Sequence, residues 1–425
     1  MAQGPQALEQ RSEWGTAGLY LFAVSAWALR PLAVAGCLLM LWALWRDRAA
    51  SWPRLRRDAL SWLLLALAAY ALLRAGAATA AAPAHWRDQF GDALRIVYLL
   101  GLIPVAWYLR ADEQRLLRCW FLAGAGFLLA RLCYLAAAPT PADGRLGLGL
   151  EPIAFGYYAA TVLLGLLLLL PRPLSRLGRR AQRRWALLAL LLGASLLQGI
   201  ILSQSRAVWL TLLPLLAVVA AAVLARGLRR RDWRPAVAVL LAVLVLGGHL
   251  AVNRDTLAAR LGAERQTWSA LLAGDLEAVS TGQGRARQHS VGIRVAMLRE
   301  GLARWRQAPL LGHGPAASKL TLRSSDVFLL PRFNDYHNVP VDLLVRYGVV
   351  GLALFLGGAV LLVAGFGRGW RAGALGPATA LFLACALALL LSSMLSNFRL
   401  LNWDFRYWLF LVAGPLASYR YYCDR

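Results

Sequence analysis

WALLALLLGASLLQGIILSQSRAVWLTLLPLLAVVAAAVLARGLRRR, residues 185–231, holds two long apolar runs joined by a short polar link and closed by a cluster of arginines. A helix needs roughly 20 apolar residues to cross hydrocarbon, and the runs 185–203 and 206–225 approach that length. The link is so short that Arg206 falls at the membrane face where the second run begins, with Arg226, Arg229, Arg230 and Arg231 at the other face. Runs of the same kind recur near 16–30, 31–45, 59–81, 91–109, 116–137, 149–170, 235–252, 338–365, 374–395 and 402–418. The spacing predicts an all-α polytopic membrane protein with about twelve transmembrane helices. Composition agrees, since 59% of the 425 residues are hydrophobic and the mean hydropathy is +0.54. Glu9, Glu13 and Gly15 precede the first run without a cleavage signal after it, so no cleavable signal peptide is expected.

A formal charge of +25 raises the question of nucleic acid, and the placement of the arginines argues against it. They gather in alternate loops, around 46–57, 110–118, 172–184, 226–234 and 368–371, whereas the intervening short loops carry one each: Arg30, Arg87, Arg145, Arg206 and Arg399. That asymmetry is the positive-inside rule, with the N-terminus inside. The basic residues are dealt among loops rather than collected on one face, which leaves no nucleic-acid footprint. Five cysteines without CxxC spacing read as small apolar packers.

One segment breaks the pattern. Residues 253–336 form a long insertion between the ninth and tenth runs, dividing the chain into 1–252, 253–336 and 337–425. The charge rule places this loop outside, and Met297, Leu298, Leu302 and Trp305 recur at helical spacing over 292–307 before the PLLGHGP turn at 309–315. Its twelve cations against seven acids run counter to the topological bias and call for an anionic partner, lipid headgroup or phosphorylated substrate. Asp275 and Glu277 are a lone acidic pair with nothing nearby to complete a metal site.

DYHNVPVDLLVRYGVVG, residues 335–351, puts His337 and Asn338 at the outer mouth of the tenth run. The positive end of a helix starting there disfavours imidazolium and suits a neutral general base, although a plain interfacial anchor fits His337 alone as well. The glycines at 348 and 351 would let a neighbouring helix approach closely. Arg206, at a helix N-terminus, combines a planar guanidinium with free backbone donors in a phosphate cradle, or else snorkels to headgroups. Arg294 opens the loop helix and could reach the same anion. Glu151, Asp404 and Arg406 sit at outer helix ends, while Arg74, Arg95, Arg131 and Arg346 lie within or near spans, where a charge needs a partner or a cavity.

His337-Asn338, nine residues, then Gly348-Val-Val-Gly351 resembles the signature of bacterial O-antigen ligases. Arg206-Ala-Val-Trp-Leu210 resembles the Arg-x3-Leu element of that family, and Arg294 before PLLGHGP is similar to an arginine that precedes a Pro-Leu-Leu-Gly-x-Gly turn in the wider ligase and polymerase superfamily. The resemblance implies a multi-pass protein of the bacterial inner membrane with a periplasmic active site and a large periplasmic loop. It implies transfer of O-antigen polysaccharide from undecaprenyl diphosphate to a lipid A-core hydroxyl, with membrane lipids as neighbours and with neither metal nor other cofactor. His337 would be the catalytic base and Arg206 and Arg294 the diphosphate ligands, with Asn338, Glu151, Asp404 and Arg406 in support.

Two relatives of that activity stay open, an O-antigen polymerase and a protein O-oligosaccharyltransferase. No arginine in 253–336 has a glycine eleven positions later, as the Arg-x10-Gly element of polymerases would have, and little chain follows Gly351 for the other. A lipid-linked glycan transporter would favour mid-membrane ionisable groups and two similar halves, and no internal repeat is visible.

Overall fold

The computed structural model of this chain describes residues 5–137, 145–262, 265–274, 290–325, 333–396 and 402–422. Among them there are helices and turns and no strand. In chain order the helices are α1 (Pro5–Ser25), α2 (Arg30–Arg46), α3 (Arg48–Leu55), α4 (Ala59–Ala81), α5 (Trp86–Val97), α6 (Leu102–Leu109) and α7 (Glu113–Ala137). Then follow α8 (Pro152–Leu168), α9 (Pro171–Leu174), α10 (Arg179–Leu202), α11 (Arg206–Arg230), α12 (Arg234–Val252), α13 (Arg254–Gly262) and α14 (Arg265–Leu272). The rest are α15 (Ser290–Gln307), α16 (Ala317–Arg323), α17 (Val339–Arg371), α18 (Pro377–Ser396) and α19 (Trp403–Tyr422).

Each of the twelve apolar runs is helical, and among the described residues eight helical segments are long and apolar enough to cross a membrane, Pro83–Leu109 taking in α5 and α6 and Pro152–Leu174 taking in α8 and α9. In α1, Glu9, Arg11 and Glu13 interrupt the apolar character, and α2 has only 17 residues. α19 carries Asp404, Arg406 and Arg420, whereas α12 has 19 residues and is apolar along most of its length after Arg234. The chain is a multi-pass membrane protein by these helices.

The chain forms two compact units. One comprises 1–129, 266–376 and 394–425. Here α1 packs on α2 through small residues. A Cβ at Gly36 would lie 2.6 Å from the Phe22 nitrogen and 2.8 Å from the Gly18 carbonyl oxygen, so the two backbones meet as in small-residue membrane packing. α4 is capped by Asp58, which accepts from the Ser61 N–H at 2.9 Å and also receives Arg420 Nε of α19 at 2.9 Å. Gly369 of α17 leaves room for the Tyr419 ring of α19. The insertion belongs to this unit through α15 and α16. The predicted amphipathic helix is α15, and its apolar face meets Tyr336, Val341 and Val345 in one buried core with Met297 and Leu322. The other unit comprises 130–265 and 377–393. In it α8 is pressed against α10 and α11, where Gly156 lies against Ser203 and Val208.

Candidate active site

The tenth apolar run starts as its sequence suggests. α17 begins at Val339, Asn338 is its N-cap, and the Asn338 side chain accepts from the Val341 N–H at 3.1 Å. Pro340 in the first turn forgoes an N–H that would have no partner there. The Asn338 amide also donates to the Leu395 carbonyl at 3.1 Å. Asn338 therefore sets the helix start and ties it to α18.

His337, just outside the cap, has φ +51°, a left-handed conformation uncommon for a residue with a side chain. The reason is Asp335. Its Oδ1 accepts from the His337 backbone N–H at 3.1 Å and lies 2.8 Å from Nδ1 of the same ring. An Asx turn and a carboxylate–imidazole pair thus share one oxygen. In the neutral ring, a carboxylate oxygen at Nδ1 favours the tautomer with the proton on Nδ1 and the lone pair on Nε2. Both side chains are about nine-tenths buried, and the Phe333 ring meets the imidazole edge-on at 5.1 Å between centroids. Among the described residues Nε2 makes no hydrogen bond. Asp335 is the partner that the sequence reading passed over, although it stands two residues before His337. The nearest charge to the ring is this carboxylate rather than the helix terminus.

Gly348 serves a purpose different from helix-on-helix approach, while Gly351 has the Tyr70 ring of α4 within 3.5 Å of where a Cβ would lie. Gly348 has φ +65° and ψ −166° and breaks α17, in a region of backbone space essentially reserved for glycine. A Cβ there would collide with the Leu310 carbonyl. The break frees backbone groups on either side of it, and the PLLGHGP turn takes them up. His313 and Gly314 donate to the carbonyls of Val345 and Arg346, each at 2.9 Å. Val349 and Val350 donate to Pro309 and Leu310 at 2.9 and 3.2 Å. Gly312, φ +69°, lies where a Cβ would come within 2.6 Å of the Arg346 backbone. Gly351 leaves room for Tyr347 Cβ, which the break folds back onto it. From α4, Tyr70 donates to the Tyr347 carbonyl at 2.9 Å and Arg74 to the Gly312 carbonyl at 2.9 Å.

Arg346 fastens this assembly from below. It is 1% exposed, with Nε on Asp342 and Nη1 on Asp92 of α5, each at 2.8 Å. It also donates to the Pro315 and Asn334 carbonyls. A buried guanidinium requires such partners. The other charges expected near spans are likewise engaged: Arg95 with Asp92 at 3.2 Å, Arg131 with the Leu148 carbonyl and Arg74 as above. His313 closes the turn by bonding Arg304 O through Nε2 at 2.8 Å, and burial lowers its pKa from the usual histidine value.

Arg206 is the first residue of α11, whose N-cap Ser205 makes no side-chain cap bond. The turn before it is held by Arg145 Nε on the Ser203 carbonyl at 3.1 Å and by Trp209 Nε1 on the Ile200 carbonyl at 3.1 Å. Arg294 lies half-buried in the first turns of α15. His337, Asn338, Arg294 and Arg406 belong to one unit, Arg206 and Glu151 to the other. Arg406 is buried, with Nη1 on the Arg95 carbonyl at 3.1 Å and its guanidinium over the Tyr98 ring. Glu151 is exposed beside α8 without a side-chain cap bond. Asp404 falls in the first turn of α19 with its side chain outside the described residues, and Asp275 and Glu277 lie outside them altogether. Among the described residues no three His, Cys, Asp or Glu side chains gather to hold a metal.

Residues 188–356 match the O-antigen ligase family. No curated protein matches the chain. The match supports the O-antigen ligase superfamily, a ligase- or polymerase-type glycosyltransferase group. It takes in Arg206, Arg294, the PLLGHGP turn, the Asp335–His337 pair and both glycines. The α4 and α5 residues that clamp the turn lie before it.

Proposed function

We propose that the protein transfers O-antigen polysaccharide from undecaprenyl diphosphate to a hydroxyl of lipid A-core at the periplasmic face of the bacterial inner membrane. The observation that carries the reading is the Asp335–His337 pair. An imidazole with its Nδ1 proton held by a buried carboxylate and its Nε2 left open is suited to act as a general base. The acceptor hydroxyl gives its proton to Nε2 as its oxygen attacks the anomeric carbon. The bond from that carbon to the diphosphate oxygen breaks, and the diphosphate leaves with the electron pair. One displacement inverts the anomeric centre. Asp335 compensates the charge that the ring gains, as the buried aspartate does in a serine-protease triad. Arg206 and Arg294 bind the diphosphate and offset its growing charge. A diphosphate is a good leaving group, so the reading calls for neither a metal nor a strong acid. Glu151 and Asp404 remain in supporting roles for the sugar, while Asn338 and Arg406 act by holding helix ends.

The test is transfer by purified protein from a diphosphate-linked glycan. Product is expected only when lipid A-core is supplied, and chain growth from donor alone would instead identify a polymerase. His337→Ala should abolish transfer at unchanged protein abundance, and full activity in that variant refutes the base assignment.

A further inference from the structure

A cleft of about 360 Å³ opens between the C-terminal half of α15 and the short helix α16. That size is at the small end of ligand sites, about 300–1,000 Å³. Glu300, Arg304, Gln307, Thr321, Ser324 and Ser325 give it a polar lining, and none of them belongs to the motifs that place the donor. Arg304 holds Gln307 through Nη1 at 2.6 Å, yet its Nε is buried with no hydrogen-bond partner among the described residues. A buried donor gains free energy when it finds a partner. The His313 ring is already committed to the Arg304 carbonyl, which makes it a wall of the cleft rather than a ligand.

The chemistry of the lining selects among occupants. One guanidinium and one carboxylate in the lining are a poor match for a diphosphate, which gathers several cations. Hydroxyls, an amide, a carboxylate and a planar fork together offer donors and acceptors in alternation, and a sugar's neighbouring hydroxyl groups are both. Position points the same way. Gly301 of α15 leaves room for the Tyr336 ring, 3.2 Å from where a Cβ would lie, and His337 follows Tyr336 directly. Met297, Ala317, Leu322, Tyr336 and Val341 form one buried core, and Ala317 also lines the cleft, so the cleft and the residue before the base share one packed body.

We propose that this cleft binds the saccharide of the acceptor and presents its hydroxyl toward His337. The inference rests on the transferase reading above and adds the acceptor site to it. The test uses the full-length protein in lipid nanodiscs, with deacylated lipopolysaccharide core oligosaccharide as the probe in calorimetry. Ala303→Trp and Ser324→Trp fill the cleft from its two walls, both from exposed positions, and melting curves identify either variant that misfolds. Each should weaken binding at least about tenfold. In the transfer assay each should raise KM for the acceptor and leave KM for the donor lipid unchanged. Undiminished affinity in the folded variants, or no binding by the parent protein, overturns the acceptor site. Absence of transfer by the parent protein, with core binding intact and lost on filling the cleft, sinks the transferase reading alone.

Discussion

Asp335 and His337 share one oxygen, and that economy makes a sharp prediction at the residue scale. Asp335→Asn keeps the size of the side chain but offers an amide, which either presents its N–H₂ to Nδ1 and reverses the tautomer or accepts as a weaker, neutral partner. In a serine protease the corresponding change lowers kcat roughly 10⁴-fold. Here the loss of transfer should be on the order of 10²–10⁴-fold with little change in acceptor or donor KM, and a merely structural aspartate would instead lower the melting temperature. Arg206→Lys separates two roles at its own helix start. A point charge cannot replace a planar fork, so a diphosphate ligand predicts a clear loss of donor use, whereas normal kinetics indicate headgroup anchoring. His337 itself was legible in the sequence because an ionisable ring at the mouth of an apolar run is out of place. Asp335 was not, because an Asx turn is a matter of backbone angle, and nothing in the spacing D-Y-H reveals φ +51° at the histidine.

At the scale of elements, the glycine pair and the PLLGHGP turn are two halves of one joint. Periodicity located α17 and α15 and placed the turn between α15 and α17, and those features follow from apolar spacing alone. What periodicity does not carry is the break inside α17, since Gly348 within an apolar run reads as a packing residue until its backbone angles are known. Gly348→Ala would force a side chain into a glycine-only conformation and against the Leu310 carbonyl. We expect a destabilisation of about 2–5 kcal/mol, read as a lower melting temperature in detergent together with loss of transfer. Arg346 makes a companion case. Asp342 and Arg346 stand four apart on one helix, a spacing open to inspection, but Asp92 is far away in sequence and only the fold brings it within 2.8 Å. Asp92→Ala leaves the buried guanidinium one carboxylate short and should cost roughly 3–5 kcal/mol. The joint also responds to acid. His313 has a pKa below the usual histidine value because burial disfavours its charged form, an effect opposed by the hydrogen bond to the Arg304 carbonyl and aided by the nearby Arg304 and Arg74 charges. Its contribution to stability is complete above the unfolded-state value of about 6.5 and is lost as pH falls through the folded value. The melting temperature should therefore drop between pH 7 and pH 5 more steeply in the parent protein than in His313→Gln.

For the whole molecule the arginines decide orientation, and orientation decides whether the site can meet its substrates. The loops around 46–57, 172–184 and 226–234 are arginine-rich, and positive charge of this kind stays on the cytoplasmic side. Among the described residues eight helical segments are long and apolar enough to cross, and the other apolar runs are helical too, so counting spans alone leaves the side of the insertion open. Charge does not. If the arginine-rich loops are cytoplasmic, the α15–α16 segment and the Asp335–His337 pair belong to the opposite face, where a polysaccharide on a lipid carrier would be met. Single cysteines at Ser324, exposed at the end of α16, and at Ser175, exposed in the loop before α10, report the two faces in a protein otherwise free of cysteine. A membrane-impermeant maleimide applied to intact spheroplasts should label position 324 and leave position 175 unmodified until the membrane is permeabilised. The reverse pattern would turn the base toward the cytosol, away from any periplasmic acceptor, and the transfer reaction would have to be abandoned whatever the geometry of the imidazole.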